Sequence, residues 1–172
     1  MTKNALANIF TFGNLSFGLL SLIMTFEGNY KLACILILAA GIVDRYDGRI
    51  ARFFNVSSDM GKELDSLSDL VSFGVAPSIL LFNMFELINL GIIGYILLLI
   101  FPIAGAYRLA RFNATSFDGV FTGIPITIAG TFIAFYALLY SGNSGKSPLG
   151  ITIVLLVLMS YLMVSNCKFK KF

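Results

Sequence analysis

Six long apolar runs limit what this chain can fold into more than any other feature. They lie at about residues 9–26, 32–43, 70–85, 87–107, 119–140 and 148–165. A membrane-spanning helix needs about 20 apolar residues, whereas the strands of a membrane β-barrel show short segments of alternating polarity. The 172 residues therefore leave room for about six spanning helices with short loops.

Composition supports the same class of protein. The chain is 58% hydrophobic and 12% charged, against about 45–50% and about 25% in soluble domains. We therefore expect an all-α integral membrane protein, with a six-transmembrane-helix bundle that forms one domain over residues 1–172, and we exclude soluble enzyme folds. The chain has no His, which excludes imidazole bases, Ser-His-Asp triads and the usual zinc and haem ligands.

Two of the apolar runs are too short to cross a bilayer alone. The run 32–43 covers about 18 Å of an apolar core that is about 30 Å thick. Its helix must therefore continue through Asp44, Arg45, Asp47, Arg49 and Arg52. The third helix must likewise begin near Gly61 and carry Asp65 and Asp69 before its apolar part. Small residues allow close helix contacts, which we expect at Gly13, Gly18, Gly41 and Gly94.

The basic residues predict the orientation of the bundle. If both termini lie on one side of six spans, ten of the twelve Lys and Arg residues lie on that side, and only Lys31 and Lys146 lie on the other. Loops on the cytosolic side are enriched in Lys and Arg. We therefore expect a multi-pass protein of the cell membrane, with both termini and the charged segment in the cytosol.

Six of the nine acidic residues lie between Asp44 and Asp69. Asp44 and Asp47 are three residues apart, and Asp65 and Asp69 are four apart, so each pair shares one face of its helix. The short 53–60 loop makes a hairpin of the two helices. The four carboxylates can therefore meet near the cytosolic edge of the bilayer.

Uncompensated carboxylates in a membrane are expensive, at about 2.5–3.5 kcal/mol each at the bilayer centre. Ion pairs with Arg45, Arg49 and Arg52 would relieve this cost. In that case Gly48 would only allow a neighbouring helix to pack closely. Two divalent ions would also relieve the cost, and an all-oxygen site suits Mg²⁺, Mn²⁺ or Ca²⁺. Gly48 and Arg52 favour the metal, because they follow Asp44 on its face, where Gly admits a bulky ligand and Arg binds an anion.

The string Asp44-x-x-Asp47-Gly48-x-x-Ala51-Arg52, eight residues, Gly61-x-x-x-Asp65-x-x-x-Asp69 resembles the signature of the CDP-alcohol phosphatidyltransferase family. Further segments resemble the integral-membrane bacterial members that use serine: GKELDSLSDLVSFGVAP (61–77), YRLARFN (107–113), FTGIPI (121–126) and SYLMVS (160–165). The N-terminal segment with Asn8, Thr11 and Asn14 resembles the Pro-Asn-x-x-Thr segment on the nucleotide side of the family site, with Ala7 in place of Pro.

The resemblance implies a homodimer of six-helix bundles that moves the phosphatidyl group of CDP-diacylglycerol to the hydroxyl of L-serine and releases CMP. It implies two ions of Mg²⁺ or Mn²⁺ on Asp44, Asp47, Asp65 and Asp69, with Asp69 also as the general base. The residues implied to contact the CDP-lipid are Asn8, Thr11, Gly48, Arg52 and Ser58. The other type of enzyme for this reaction, built on His-Lys motifs, is excluded because the chain lacks His. Membrane lipids are expected partners, and nucleic acid is not.

The acceptor stays open from the residues alone. Arg108 and Arg111 follow the fourth span and can hold the carboxylate of serine, or the phosphate of glycerol 3-phosphate or inositol phosphate, and positive-inside anchoring explains them equally well. An archaeal ether lipid is an alternative donor. An ion transporter is a more remote alternative, because its acidic residues would lie near the midplane, often in inverted repeats, and here they lie in one hairpin.

Overall fold

A computed structural model describes the backbone of residues 3–53, 59–114, 120–142, 148–165 and 168–170, and the side chains of residues 8–46, 60–114, 123–142 and 148–165. The helices within these ranges are α1 (Lys3–Phe26), α2 (Tyr30–Phe53), α3 (Asp59–Asp69), α4 (Ala76–Met84), α5 (Ile92–Ala114), α6 (Ile126–Tyr140) and α7 (Leu149–Val164). A π-helical turn, Leu70–Val75, joins α3 to α4, and a 3₁₀ turn, Leu87–Leu90, precedes α5. Two short strands, β1 (Val120–Thr122) and β2 (Lys168–Lys170), pair antiparallel.

The apolar character of the helices confirms a membrane protein. Within the described ranges, three stretches are long and apolar enough to cross a membrane, namely Asn8–Phe26, Met60–Met84 and Ile92–Ala114, and α6 and α7 are shorter apolar helices. Large apolar side chains cover the outside of the bundle, as a surface that faces lipid requires. Examples are Ile92, Ile103, Ile128, Leu139, Val154 and Tyr161.

Both helices that carry the acidic residues follow the prediction. α2 runs without a break from Tyr30 to Phe53, so the helix does continue through its charged segment. α3 begins at Asp59, two residues before the predicted start, and the stretch Met60–Met84 contains both charged and apolar parts.

Two apolar runs begin well before the helices that they predict. The run at 119–140 starts as strand β1, and α6 begins only at Ile126, with Pro125 as its N-cap residue. The cause is Gly123, whose φ of 76° lies in a left-handed region that no α-helix uses. The run at 87–107 starts with the 3₁₀ turn, and Gly91 with a φ of 59° separates that turn from α5.

Close helix contacts hold the π-helical turn at the centre of the bundle. Phe73 in this turn is fully buried. A Cβ on Gly18 of α1 would lie 2.9 Å from the Cα of Ser72, and one on Gly130 of α6 would lie 2.6 Å from the Cβ of Phe73. A Cβ on Gly41 would lie 2.8 Å from Thr131. The predicted packing roles of Gly18 and Gly41 are confirmed, and the backbone directly after Asp69 is clamped between α1 and α6.

Candidate active site at the carboxylate cluster

Three carboxylates from two helices converge in the structure. Asp44 comes from α2 and Asp65 and Asp69 come from α3, and their candidate ligand oxygens all lie within 4.8 Å of one another. Asp69 is the most enclosed, with 7% of its surface exposed, while Asp44 and Asp65 are half-buried. The predicted convergence is found for these three residues, and the side chain of Asp47 lies outside the described residues.

Hydrogen bonds from two further helices hold Asp69. Nδ2 of Asn14 on α1 donates to Oδ1 of Asp69 at 3.0 Å. The hydroxyl of Thr127 on α6 donates to the other carboxylate oxygen at 3.4 Å. Both oxygens of Asp69 are therefore oriented by neighbouring helices.

The sequence placed Asn14 only in the segment that resembles the nucleotide side of the site and did not predict its contact with Asp69, and it gave Thr127 no place in the site. A signal for Asn14 exists, because an amide inside the apolar run 9–26 is costly unless it has a partner. Thr127 gives no comparable signal, since Thr in a membrane helix readily bonds to the backbone one turn earlier.

The backbone next to the cluster is tied to α1. The hydroxyl of Ser72, in the π-helical turn, donates to the main-chain carbonyl of Asn14 at 3.0 Å. π-helical turns insert an extra residue into a helix and are frequent at functional sites. This turn follows Asp69 directly. It therefore changes the helical register between Asp69 and the apolar part of the same span.

A buried cation on α5 interacts electrostatically with the carboxylate cluster through Asp69. Arg108 on α5 is 8% exposed, and its charge and that of Asp69 attract each other. Its guanidinium carbon lies 5.4 Å from the ring centre of Phe112, a distance typical of a cation–π contact. Asp44 and Asp65 repel the charge of Asp69, so the local field contains both signs.

Arg111 has different partners from Arg108. Its guanidinium donates to the main-chain carbonyl of Val164 at 3.1 Å, with the carbonyls of Met163 and Ser165 at 3.4 and 3.5 Å. Met163 and Val164 end α7 and Ser165 is its C-cap residue, and carbonyls at a helix C-terminus lack partners inside the helix. Arg111 therefore caps α7, and its predicted contact with the acceptor stays a prediction.

An amphipathic groove lies between α2 and α6. Its volume is about 540 Å³. Asp44, Arg45 and Thr127 line its polar part, and the apolar part includes Leu38, Ile42 and Ile128. The groove therefore joins the carboxylate cluster to an apolar surface of the bundle.

The remaining predicted contacts lie on α1 and α2. Asn8 is half-buried, and Thr11 is 3% exposed, one turn before Asn14. Gly48 and Arg52 belong to α2, but their side chains lie outside the described residues, and Ser58 lies outside them altogether. These contacts stay predictions.

Comparison with known proteins identifies the family. A profile of CDP-alcohol phosphatidyltransferases matches residues 4–166. The chain belongs to the CDP-alcohol phosphatidyltransferase family. The family resemblance of the string from Asp44 to Asp69 is therefore confirmed. The match to the family extends over nearly the whole chain.

Named relatives of this CDP-alcohol phosphatidyltransferase cover most of its length. A CDP-diacylglycerol–serine O-phosphatidyltransferase from Helicobacter pylori strain J99 is 39% identical over an alignment of 174 positions, which covers 96% of this chain and 71% of the relative. One of the same name from Bacillus subtilis strain 168 is 38% identical over 98% of this chain and 92% of the relative. An archaetidylserine synthase from Methanothermobacter thermautotrophicus is 35% identical over 97% and 70%.

The residues of this family member fit a divalent cation. Carboxylate oxygens are the ligands that Mg²⁺ and Mn²⁺ prefer. Their 4.8 Å spread is close to twice a metal–oxygen bond of about 2.0–2.6 Å. Oδ1 of Asn14 is buried without a hydrogen-bond partner, the only such side-chain atom within the described part of the chain. Asp44, Asp65 and Asp69 can therefore hold a metal ion.

Proposed function

We propose that this chain transfers the phosphatidyl group of CDP-diacylglycerol to the hydroxyl of L-serine, giving phosphatidylserine and CMP in phospholipid biosynthesis. The observation that carries the proposal is the cluster of Asp44, Asp65 and Asp69, with Asp69 enclosed and held by α1 and α6. The names of the two bacterial relatives support serine as the acceptor.

The chain supplies a base for a direct displacement. The serine oxygen forms a bond to the phosphorus that bears diacylglycerol, and the bond from that phosphorus to CMP breaks, so that CMP leaves with the electron pair. Asp69 accepts the proton of the serine hydroxyl. His is absent from the chain, which leaves a carboxylate as the suitable base in this cluster.

The aspartates would also hold the metal. We place Mg²⁺ or Mn²⁺ on Asp44, Asp65 and Asp69, with Asp47 completing a site for two ions. Bound divalent ions neutralise phosphate oxygens and stabilise the charge of a leaving phosphate.

The groove between α2 and α6 suits the lipid substrate. Its polar part contains Asp44 and Arg45, and its apolar part presents Leu38 and Ile42, which match the phosphate and the acyl chain of one amphipathic molecule. The nucleotide contacts that complete this proposal are Asn8, Thr11, Gly48, Arg52 and Ser58.

Arg108 is the proposed partner of the serine carboxylate. A guanidinium binds a carboxylate through paired, charge-assisted hydrogen bonds. Because Arg108 is buried and its charge attracts that of Asp69, we place the carboxylate of serine at Arg108 and its hydroxyl toward the base. Arg111 also binds the end of α7, so we give Arg108 the first role in the acceptor site and keep Arg111 as the second candidate.

The proposed topology has six passes and one catalytic domain over residues 1–172. The passes are α1, α2, the stretch Met60–Met84, α5, α6 and α7, with both termini and the site on the cytosolic side and two copies forming a homodimer. The 15 residues of α6 and the 16 of α7 cover about 23–24 Å. Thiol labelling of single-Cys variants from each side of sealed vesicles, and cross-linking in the membrane, test these points.

An acceptor panel tests the reaction. The purified chain is given CDP-diacylglycerol, Mg²⁺ or Mn²⁺, and radiolabelled serine, glycerol 3-phosphate, inositol phosphate or choline. We expect labelled lipid from serine alone, with an equal amount of CMP. Labelled lipid from another acceptor would reject serine as the substrate but would still support phosphatidyl transfer. The absence of labelled lipid with every acceptor would reject a transferase activity.

An archaeal-type CDP-lipid is the second candidate donor, favoured by the archaeal relative. The groove presents apolar side chains, which suit ester-linked and ether-linked chains alike. Values of kcat/KM for CDP-diacylglycerol and CDP-archaeol in the same detergent distinguish the two donors.

A further inference from the structure

Asn14 brings a buried amide to the carboxylate cluster, although it lies outside the aspartate signature. Its side chain is 1% exposed, and Nδ2 donates to Asp69 Oδ1 at 3.0 Å. An ionised carboxylate only accepts hydrogen bonds, so the amide nitrogen must face Asp69. The chemistry of the partner therefore fixes the orientation of this amide.

The main chain of Asn14 is bound to the same segment. Ser72 donates its hydroxyl to the carbonyl of Asn14 at 3.0 Å. A Cβ on Gly18, one turn later on α1, would lie 2.9 Å from the Cα of Ser72. Side chain and main chain of Asn14 thus both attach α1 to the segment that carries Asp69, which leaves the amide little freedom to move away.

Packing alone does not explain an amide at this position. Oδ1 of Asn14 is buried and has no hydrogen-bond partner among the side chains that the structure describes. A buried acceptor without a partner costs free energy, and an apolar side chain of similar size would avoid this cost. The amide lies at the carboxylate cluster, where its NH₂ group donates to Asp69.

We propose that Asn14 is a positioning residue, which fixes the rotamer of Asp69 so that the remaining lone pairs of this carboxylate face the metal and the acceptor hydroxyl. The inference rests on the proposed function for the roles of Asp69. Groups that bond to a ligating carboxylate orient it, and their loss typically lowers metal affinity or activity about 10–100-fold. Thr127 donates to Asp69 at the longer distance of 3.4 Å, so it contributes less to the orientation of this carboxylate.

The test compares two substitutions of Asn14 with a control on the same helix. Asn14→Leu removes the donor at similar volume. Asn14→Ser is the second variant, because its hydroxyl is too short to reach Asp69 and can bond to the backbone one turn earlier. The control is Ser21→Ala, since Ser21 is fully buried and donates to the carbonyl of Ala33 at 3.0 Å, two turns from Asn14. The readouts are the Mn²⁺ affinity of the full chain in detergent, by electron paramagnetic resonance, and kcat, KM for serine and the thermal midpoint.

We expect both Asn14 variants to lose about 10–100-fold in Mn²⁺ affinity and in kcat, with KM for serine nearly unchanged. Ser21→Ala should lower only the thermal midpoint. In an Asp69→Asn background, Asn14→Leu should cause no further loss of Mn²⁺ affinity, because the contact that it removes acts through Asp69.

Wild-type Mn²⁺ affinity in both Asn14 variants would overturn the inference. An equal loss of affinity in the Asp69→Asn background would also overturn it, since Asn14 would then act without Asp69. A wild-type chain that binds Mn²⁺ but transfers nothing to serine would instead reject the proposed function, and the Mn²⁺ comparison would still decide the role of Asn14.

Discussion

The substitution Asp69→Asn separates the folding of the site from its chemistry. Asp69 is 7% exposed and accepts hydrogen bonds from Asn14 and Thr127. The introduced amide can keep its oxygen on the Asn14 donor and turn its NH₂ group to the hydroxyl of Thr127, which also accepts. We therefore expect the thermal midpoint to stay close to that of the wild type.

Turnover of the Asp69→Asn variant should fall steeply, because an amide cannot take the proton of serine. General base catalysis is worth about 10²–10⁴-fold, which is about 2.7–5.4 kcal/mol of transition-state stabilisation at about 1.36 kcal/mol per factor of ten. Replacing a charged metal ligand by a neutral one adds to this loss. Affinity for the CDP-lipid should partly survive, because Asp44 and Asp65 remain.

Glu63→Gln is the matched control for this experiment. Glu63 lies on α3, is exposed, and accepts from the amide of Asn113 at 3.2 Å, so it shares the helix of Asp69 but not the cluster. Contacts of exposed carboxylates contribute little to stability. Because Glu63 also lies outside the cluster, we expect near wild-type turnover. The assay measures CMP release with labelled serine, and CDP-lipid binding, for both variants in one detergent. More than about a tenth of wild-type turnover in Asp69→Asn would refute the base assignment, and an inactive Glu63→Gln would refute our choice of cluster residues.

Further expected outcomes concern metal, intermediate, acceptor and packing. A chelator should abolish transfer and Mg²⁺ or Mn²⁺ should restore it, whereas full activity in excess chelator would favour a salt-bridge network. Labelled CMP should not exchange into CDP-diacylglycerol without serine, because serine attacks directly, and isolation of a covalent lipid–protein adduct would contradict this. Arg108→Gln should raise KM for serine about 10–100-fold, since a charge-assisted hydrogen bond is lost, and an unchanged KM would remove Arg108 from the acceptor site. Gly130→Ala should lower stability by about 1–3 kcal/mol, measured by unfolding in detergent, because its Cβ would lie 2.6 Å from that of Phe73, and an unchanged midpoint would show that the helices can separate there.

Periodicity made the membrane class and the acidic cluster predictable. Asp65 and Asp69 are four residues apart, and that spacing places both on one helix face. The short apolar run before Asp44 required α2 to continue into its charged segment. Both inferences depend on helix geometry alone, so they require no knowledge of tertiary contacts.

Contacts between distant segments were not predictable in this way. Asn14 and Asp69 are 55 residues apart in the chain, and Thr127 and Asp69 are 58 apart, so helix periodicity says nothing of either pair. The π-helical turn after Asp69 packs closely against Gly18 and Gly130, and the sequence of a single helix does not reveal such contacts.

Local sequence also failed to separate the two arginines of α5. Arg108 and Arg111 are three residues apart and equally basic, and positive-inside anchoring describes both. The structure separates them by their partners, since Arg108 is buried and its charge attracts that of Asp69, and Arg111 caps α7. In the same way, the late start of α6 depends on the backbone of Gly123, because an apolar run does not report a positive φ.

The fate of the serine oxygen tests the central claim most directly. The purified chain is supplied with CDP-diacylglycerol, a divalent metal and L-serine labelled with ¹⁸O in its hydroxyl, and both products are analysed by mass spectrometry. Direct attack of serine on the phosphorus that bears diacylglycerol predicts ¹⁸O in every newly formed phosphatidylserine and none in CMP. Unlabelled phosphatidylserine, ¹⁸O in CMP, or the absence of phosphatidylserine would contradict the account.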